Sequence, residues 1–141
     1  MKKFKFNLEK ILQLREFKEE ECRLALGKAV GILNIIEEEI KLTALKRHNA
    51  AMSRFSDLRE TISWEYYITR LDQEAEKLAE RSAQAQIVVE QKRALYLEAL
   101  KDVKAIEKLK EKQQKEYRKE MLDSQMTEVD DLTSARLAGS Y

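Results

Sequence analysis

The sequence contains no proline, and this absence restricts the folds open to the chain more than any other feature. Proline breaks the interior of a helix and glycine weakens it, so a compact domain with many turns normally carries several of each. All 141 residues include only three glycines, while 38% of the residues are charged and 43% are hydrophobic. This composition is typical of long helices that pair through a narrow apolar seam. We therefore expect few turns and long, uninterrupted helices.

Apolar residues in the first half of the chain recur at alternating spacings of three and four, which is the pattern of a helix with one apolar face. One stripe consists of Cys22, Leu26, Ala29, Leu33, Ile36 and Ile40, and a second consists of Ala51, Phe55, Leu58 and Ile62. The long step from Ile40 to Ala51 predicts a stutter, which locally unwinds a left-handed supercoil. Gly27 and Gly31 lie inside the first stripe, where they either let a second helix approach closely or simply soften their own helix.

The second half of the chain has a longer heptad pattern. Its a positions are Ile68, Ala75, Ser82, Val89, Tyr96 and Val103, and its d positions are Leu71, Leu78, Ala85, Lys92, Ala99 and Ile106. Only Ser82 and Lys92 are polar. A pattern sustained over this many heptads favours a coiled coil over an ordinary surface helix.

Residues that favour helix starts cluster between the two halves, and Asp57 with Glu60 resembles a capping box. We place the reversal of the chain there. The predicted fold class is all-α, a long antiparallel two-helix coiled coil, that is, a helical hairpin. We expect a single domain over 1–141, with helix one at about 8–56, the turn within 56–63, helix two at about 64–126 and a weakly ordered tail at 127–141.

Three aromatic residues, Trp64, Tyr66 and Tyr67, fall within four consecutive positions just after the predicted turn. Successive side chains on a helix point around its circumference, so all three cannot face one partner helix. At least one should be exposed near the tip of the hairpin. The cluster either caps the end of the seam or forms a surface for binding another protein, since aromatic residues are favoured anchors in interfaces.

Nothing in the sequence indicates catalysis or a cofactor. His48 is the only histidine and Cys22 the only cysteine, and on one straight helix they would lie roughly 39 Å apart. We therefore predict no enzyme activity, no metal and no cofactor. The net charge of +1 gives no reason to expect nucleic-acid binding. No apolar run approaches the length of a membrane span, and the start of the chain lacks the apolar core of a signal peptide.

Three segments, in order along the chain, resemble one protein family. The opening at 6–16, Phe-Asn-Leu-Glu-Lys-Ile-Leu-Gln-Leu-Arg-Glu, is similar to the opening of the flagellar export protein FliJ. The segment 66–72, Tyr-Tyr-Ile-Thr-Arg-Leu-Asp, is similar to the segment after the turn in that family. The acidic stretch 128–132 followed by Arg136 is similar to the C-terminal signature of the family. The resemblance thus covers the whole chain.

The resemblance implies a non-enzymatic, stalk-like component of the flagellar type III protein export apparatus, which is needed for motility. Its implied partners are the hexameric ring of the export ATPase FliI, the export gate protein FlhA and export chaperones. The implied location is cytoplasmic, held peripherally at the inner membrane by the export gate, and the implied state is a monomer. The alternative function is a generic coiled-coil spacer or secretion chaperone that acts as a parallel dimer through the same heptads.

The resemblance also implies binding residues. Positions that match the gate-binding face of the family are Tyr67, Leu71, Glu74 and Leu78. Glu74 stands where the family has a small residue, and Leu78 where it has a polar one. Contact with the ATPase ring would fall near the two helix termini, at Leu8, Leu12, Lys115 and Tyr117.

Overall fold

The computed structural model describes residues 3–53 and 57–139, which form two α-helices. Helix α1 spans Glu9–Ala51 and has 43 residues, and helix α2 spans Leu58–Gly139 and has 82 residues. The described residues include no strand, and the two helices pack against each other as the predicted all-α helical hairpin. The chain divides into two compact units, one made of Met1–Glu19 with Ala99–Tyr141 (unit 1) and the other of Glu20–Glu98 (unit 2).

The seam of unit 2 on the α1 side follows a strict seven-residue repeat of small and apolar residues. Its most buried members are Ala29, Ile36, Thr43 and Ala50. The predicted stutter after Ile40 is therefore wrong, because Thr43 fills the heptad position at which no apolar residue stands. The branched side chain of threonine carries a methyl group that can pack against apolar neighbours. Threonine can therefore occupy a buried core position although it is polar.

The opposite side of this seam comes from α2, where Leu71, Leu78 and Val89 are buried. Two ion pairs between the helices show in which relative direction the helices run. Arg47 Nε lies 2.6 Å from Asp72 Oδ1, and Arg81 Nη1 lies 3.9 Å from Glu39 Oε2. Residue numbers rise on one helix as they fall on the other, so the helices of unit 2 run antiparallel.

The predicted heptad register of α2 agrees with the burial of its side chains. Every predicted a and d position is buried or half-buried except Ala75, which is exposed. The glycines of α1 have no packing role within the chain: a methyl group added at Gly27 or Gly31 would meet no atom within 4 Å. The idea that they let the second helix of the hairpin approach closely is therefore wrong.

Unit 1 pairs the start of α1 and the residues before it with the middle of α2. Its buried apolar residues are Phe6, Leu12, Ala99 and Val103. Lys110 Nζ donates to Glu9 Oε2 at 3.0 Å, and Arg15 Nη1 donates to Asp102 Oδ2 at 3.3 Å. The rings of Phe4 and Tyr117 lie 5.5 Å apart between centroids. These contacts again pair rising with falling residue numbers, so this unit is also antiparallel.

Helix α1 ends earlier than the predicted position near 56, because three donors meet its last carbonyl groups. Ser53 Oγ donates to Asn49 O at 3.2 Å, and Ser53 N donates to Ala50 O at 3.1 Å. The indole Nε1 of Trp64, from α2, also donates to Ala50 O, at 2.6 Å. Carbonyl groups at a helix end need partners, and these bonds supply them as the chain leaves the helix.

Helix α2 begins at Leu58, inside the predicted turn of 56–63, so the turn was placed too late. Asp57 caps this start by accepting a hydrogen bond from Glu60 N at 2.8 Å, as the capping pattern predicted. Residue 56 of the predicted turn and Phe55 of the predicted second stripe lie outside the described residues.

Helix α2 also continues to Gly139, beyond its predicted end near 126, so 127–139 is helix rather than a weakly ordered tail. The heptad pattern fades there because no second helix covers those side chains, which are all exposed. A fading heptad reports the loss of a packing partner, whereas the helix itself needs only the absence of proline and internal glycine, and this segment has neither before Gly139.

Candidate partner-binding surfaces

The start of α2 separates its aromatic side chains around the helix. Trp64 is half-buried and bonds to the end of α1, whereas Tyr66 is 76% exposed. The expectation that at least one aromatic of this cluster is exposed is confirmed. Trp64 fulfils the expected capping of the seam, and Tyr66 points away from it.

A compact surface surrounds Tyr66. We define the tip surface as Tyr66, Tyr67, Arg70 and Glu74. The guanidinium carbon of Arg70 lies 5.4 Å from the centre of the Tyr67 ring, which is a cation–π contact. Both tyrosines and Arg70 line a shallow concavity whose remaining walls are small and polar side chains, Ser63, Thr69 and Gln73.

The chemistry of the tip surface suits protein contact. Tyrosine and arginine are among the residue types that contribute most to binding energy in interfaces, because they combine a large, flat contact area with a polar group. The cation–π contact favours a position of the Arg70 side chain against the Tyr67 ring, and such preorganisation lowers the entropy lost on binding. Glu74 is exposed beside them and adds a negative charge.

The predicted gate-binding row is only partly available. Leu71 and Leu78 are 2% and 7% exposed and belong to the seam of unit 2, as their predicted d positions require, so they do not form part of an exposed face. Tyr67 is half-buried and Glu74 is exposed. The row runs along the edge of the seam, and its members alternate between a core position and a flanking position. A partner can reach the flanking positions without opening the hairpin.

The predicted ATPase-ring residues show a similar division. Leu12 is 4% exposed and is part of the core of unit 1. Leu8 and Tyr117 are half-buried, and Lys115 is exposed. Lys115 is therefore the most exposed member of this set, and Leu12 is the one that a partner cannot contact without rearranging unit 1.

Two exposed features were not among the predicted binding residues. Arg70 was missed, and Tyr66 was considered only as part of the aromatic cluster, because the resemblance supplied one row of positions rather than a surface. The other feature is a second apolar face of α1 in unit 2, formed by Leu24, Ile32, Ile35, Leu42 and Leu45, each more than half exposed. Its signal was readable in the sequence, since Ile35 and Leu42, like Leu24 and Leu45, are separated by whole heptads.

Other kinds of site find little support in the described structure. Across residues 3–53 and 57–139, no group of three or more His, Cys, Asp or Glu side chains is arranged to hold a metal ion. Neither helix, as far as the structure describes it, contains an apolar stretch that would let it cross a membrane. The hydrogen bond of the Arg47 guanidinium to Asp72, together with the charge of that carboxylate, raises the pKa of Arg47.

The fold and these surfaces define a coiled-coil hairpin with exposed aromatic, charged and apolar patches. The family model described as "Flagellar FliJ protein" matches residues 4–140, so the chain belongs to the FliJ family, in agreement with the resemblance seen in its sequence. This family consists of coiled-coil proteins connected with flagellar export, and it is a non-enzymatic component of that machinery. No significant match was found among curated proteins or among solved structures.

Proposed function

We propose that this protein is a non-enzymatic component of the flagellar type III export apparatus that binds both the export gate FlhA and the hexameric ring of the export ATPase FliI. The observation that carries this proposal is the family match, which extends over 4–140. The family supplies the process, and the exposed surfaces suggest which side chains act in it. The proposed location is cytoplasmic, at the inner membrane through contact with the gate.

The tip surface is the candidate for contact with the gate. It retains Tyr67 and Glu74 of the expected row and adds Tyr66 and Arg70, which are better placed for a partner than the buried leucines. Contact through these side chains leaves the seam intact, so binding requires no unfolding of the hairpin. This is consistent with a protein that must keep its shape while it connects two partners.

Unit 1 is the candidate for contact with the ATPase ring. Its helices are tied together by the Glu9–Lys110 and Arg15–Asp102 pairs, and Lys115 is exposed close to them in sequence. Charged side chains such as Lys115 speed the first encounter of two proteins more than they tighten the final complex. We also propose that export chaperones bind this protein.

Gate binding is tested with the purified chain and the purified soluble part of FlhA. We expect Tyr66→Ala combined with Arg70→Ala to weaken binding by about tenfold or more, because both anchors of the surface are removed. Glu76→Ala is the matched control, since Glu76 is exposed on α2 away from the tip surface. Circular dichroism of each variant shows whether the helices remain.

Unchanged affinity in the double variant would exclude the tip surface as the gate contact. Loss of swimming in cells that carry the double variant, with normal flagellin synthesis, would support a role in export. The ATPase contact is tested separately by adding the chain to purified FliI and measuring ring assembly and ATP hydrolysis. If the chain alters neither, a generic spacer or a secretion chaperone becomes the better explanation.

A further inference from the structure

One side of unit 2 presents two parallel rows of side chains, which we call the flank. The α1 row is Ala25, Ile32, Glu39 and Lys46, and the α2 row is Leu95, Val88, Arg81 and Glu74, both at seven-residue spacing. The Glu39–Arg81 ion pair connects the rows, and Lys46 and Glu74 line the same groove as that pair. A seven-residue repeat keeps the remaining members on the same side of a coiled coil.

Half of the flank is apolar, and three of its four apolar residues are exposed. Ile32 is 57% exposed, Val88 is 41% exposed and Leu95 is 51% exposed. Ile35 and Leu42 extend the apolar area along the adjacent face of α1. Exposed apolar side chains that are grouped in this way on a protein surface often mark a contact with another protein.

The two rows of the flank match each other level by level. Ile32 stands at the level of Val88, Glu39 at the level of Arg81, and, one heptad nearer the turn, positively charged Lys46 stands at the level of negatively charged Glu74. Each level is thus either apolar on both helices or oppositely charged on them. A surface with this property can pair with a copy of itself without placing like charges together.

We propose that two copies of the chain associate through the flank as a symmetric dimer, with the two-fold axis parallel to the helices. In this arrangement α1 of each copy lies over α2 of the other at the same level. Ile32 then contacts Val88 of the second copy, and Glu39 faces Arg81 of the second copy. Each chain keeps its own hairpin, so this dimer differs from a parallel coiled coil, in which the hairpins would open. It goes beyond the proposed function and also departs from the monomer implied by the family resemblance.

The alternative symmetric arrangement places the two-fold axis across the helices. That axis reverses the levels, so the apolar part of one flank lies over the charged part of the other. Desolvating a charged side chain against an apolar one is unfavourable. The order of apolar and charged levels along the flank therefore favours the dimer whose two-fold axis is parallel to the helices.

The expected interface is small. From Ala25 to Lys46 the flank is about 30 Å long at 1.5 Å per residue, and two adjacent helices are about 20 Å wide. This gives about 600 Å² on each copy, or about 1,200 Å² in total, which is at the lower limit of specific interfaces. The dimer should consequently be reversible and concentration-dependent.

Sedimentation equilibrium of the full chain, from about 1 μM to about 1 mM, tests the proposal, with a reducing agent present so that Cys22 forms no disulfide. We expect a monomer–dimer equilibrium in this range. Ile32→Glu should weaken association by about tenfold or more, because it places a carboxylate in the apolar part of the flank. Glu37→Arg is the control, since Glu37 is exposed on the other side of α1 and should leave the equilibrium unchanged.

A mixing experiment tests whether Glu39 of one copy faces Arg81 of the second copy. Glu39→Arg alone gives four positive charges at that level of a dimer, and Arg81→Glu alone gives four negative charges. Each variant should therefore remain monomeric where the unaltered chain dimerises. A mixture of the two variants brings two positive charges against two negative charges across the interface, and association should return.

Circular dichroism of each variant serves to check that its helices are retained, so that loss of association is distinguished from unfolding. A chain that remains monomeric over the whole concentration range overturns the proposal. So does a dimer that Ile32→Glu and Glu39→Arg leave unaffected, or a pair of charge variants whose mixture fails to associate.

Discussion

Replacing Gly27 and Gly31 by alanine should stabilise the protein. Both glycines lie in the interior of α1, and neither has a positive φ, so an alanine fits the backbone conformation that they already adopt. A methyl group at either position would meet no atom within 4 Å, so it neither clashes with nor fills any part of the hairpin. The effect of each substitution should then be the difference in intrinsic helix propensity alone.

That difference is about 1 kcal/mol for a glycine in a helix interior. Because helix propensity is a property of each residue's own backbone and side chain, the two effects should add to about 2 kcal/mol. For a chain between the sizes of small and large domains, this corresponds to a rise in Tm of about 8 °C.

The assay is thermal and urea unfolding followed by circular dichroism, on the single and double variants. Two substitutions serve as controls. Ala44→Gly introduces the reverse change at an exposed position of α1 and should lower the stability by about 1 kcal/mol. Gly139→Ala should have little effect, because Gly139 is the last residue of α2, where the helix frays.

A decrease in stability for Gly31→Ala, with Ala44→Gly behaving as expected, would refute the reasoning, because it would mean that a group approaches Gly31 closely. Swimming of cells carrying the double variant adds a second readout. Normal swimming with raised stability means that the glycines only weaken the helix. Reduced swimming with raised stability assigns them to contact with a partner or to bending of α1.

Three further substitutions test the packing. Leu71→Ala should lower the free energy of unfolding by about 2–4 kcal/mol, measured by urea titration, because it leaves a cavity in the seam; a loss below about 1 kcal/mol would place Leu71 outside the core. Thr43→Asp should destabilise by at least about 2 kcal/mol whereas Ala44→Asp should have a smaller effect, and equal effects would restore the predicted stutter. Trp64→Phe should destabilise by about 1 kcal/mol, through loss of the bond to the last turn of α1, and an unchanged melting curve would contradict that role.

The seam of α2 was predictable because its pattern is long. Six consecutive heptads fix which face of the helix is buried, and a single departure such as Ala75 does not disturb the register. The seam of α1 was harder to read because polar Thr43 occupies a core position. An analysis that counts only apolar residues interprets such a position as a gap, although the backbone continues through it without a change of register.

The ends of the helices show which structural features a local sequence pattern can predict and which it cannot. The cap at Asp57 was visible in the sequence because it involves residues three positions apart. The bond from Trp64 to Ala50 joins two helices and depends on how they meet, so no local pattern reveals it. The continuation of α2 to Gly139 was missed for another reason: the fading heptad was interpreted as a loss of helix, whereas it signals only the loss of a partner for the helix.

The exposed apolar surface exists because α1 carries more apolar side chains than a two-helix seam requires. A helix paired with one partner needs one apolar stripe, formed by a and d positions. In unit 2, α1 carries in addition Ile32, Ile35 and Leu42, which the hairpin leaves more than half exposed. Leaving these side chains in water brings no benefit to the folding of the hairpin, since each would gain free energy by burial. Their presence is understandable if the hairpin is one component of a larger assembly, in which a second copy or another partner completes the burial that one chain begins.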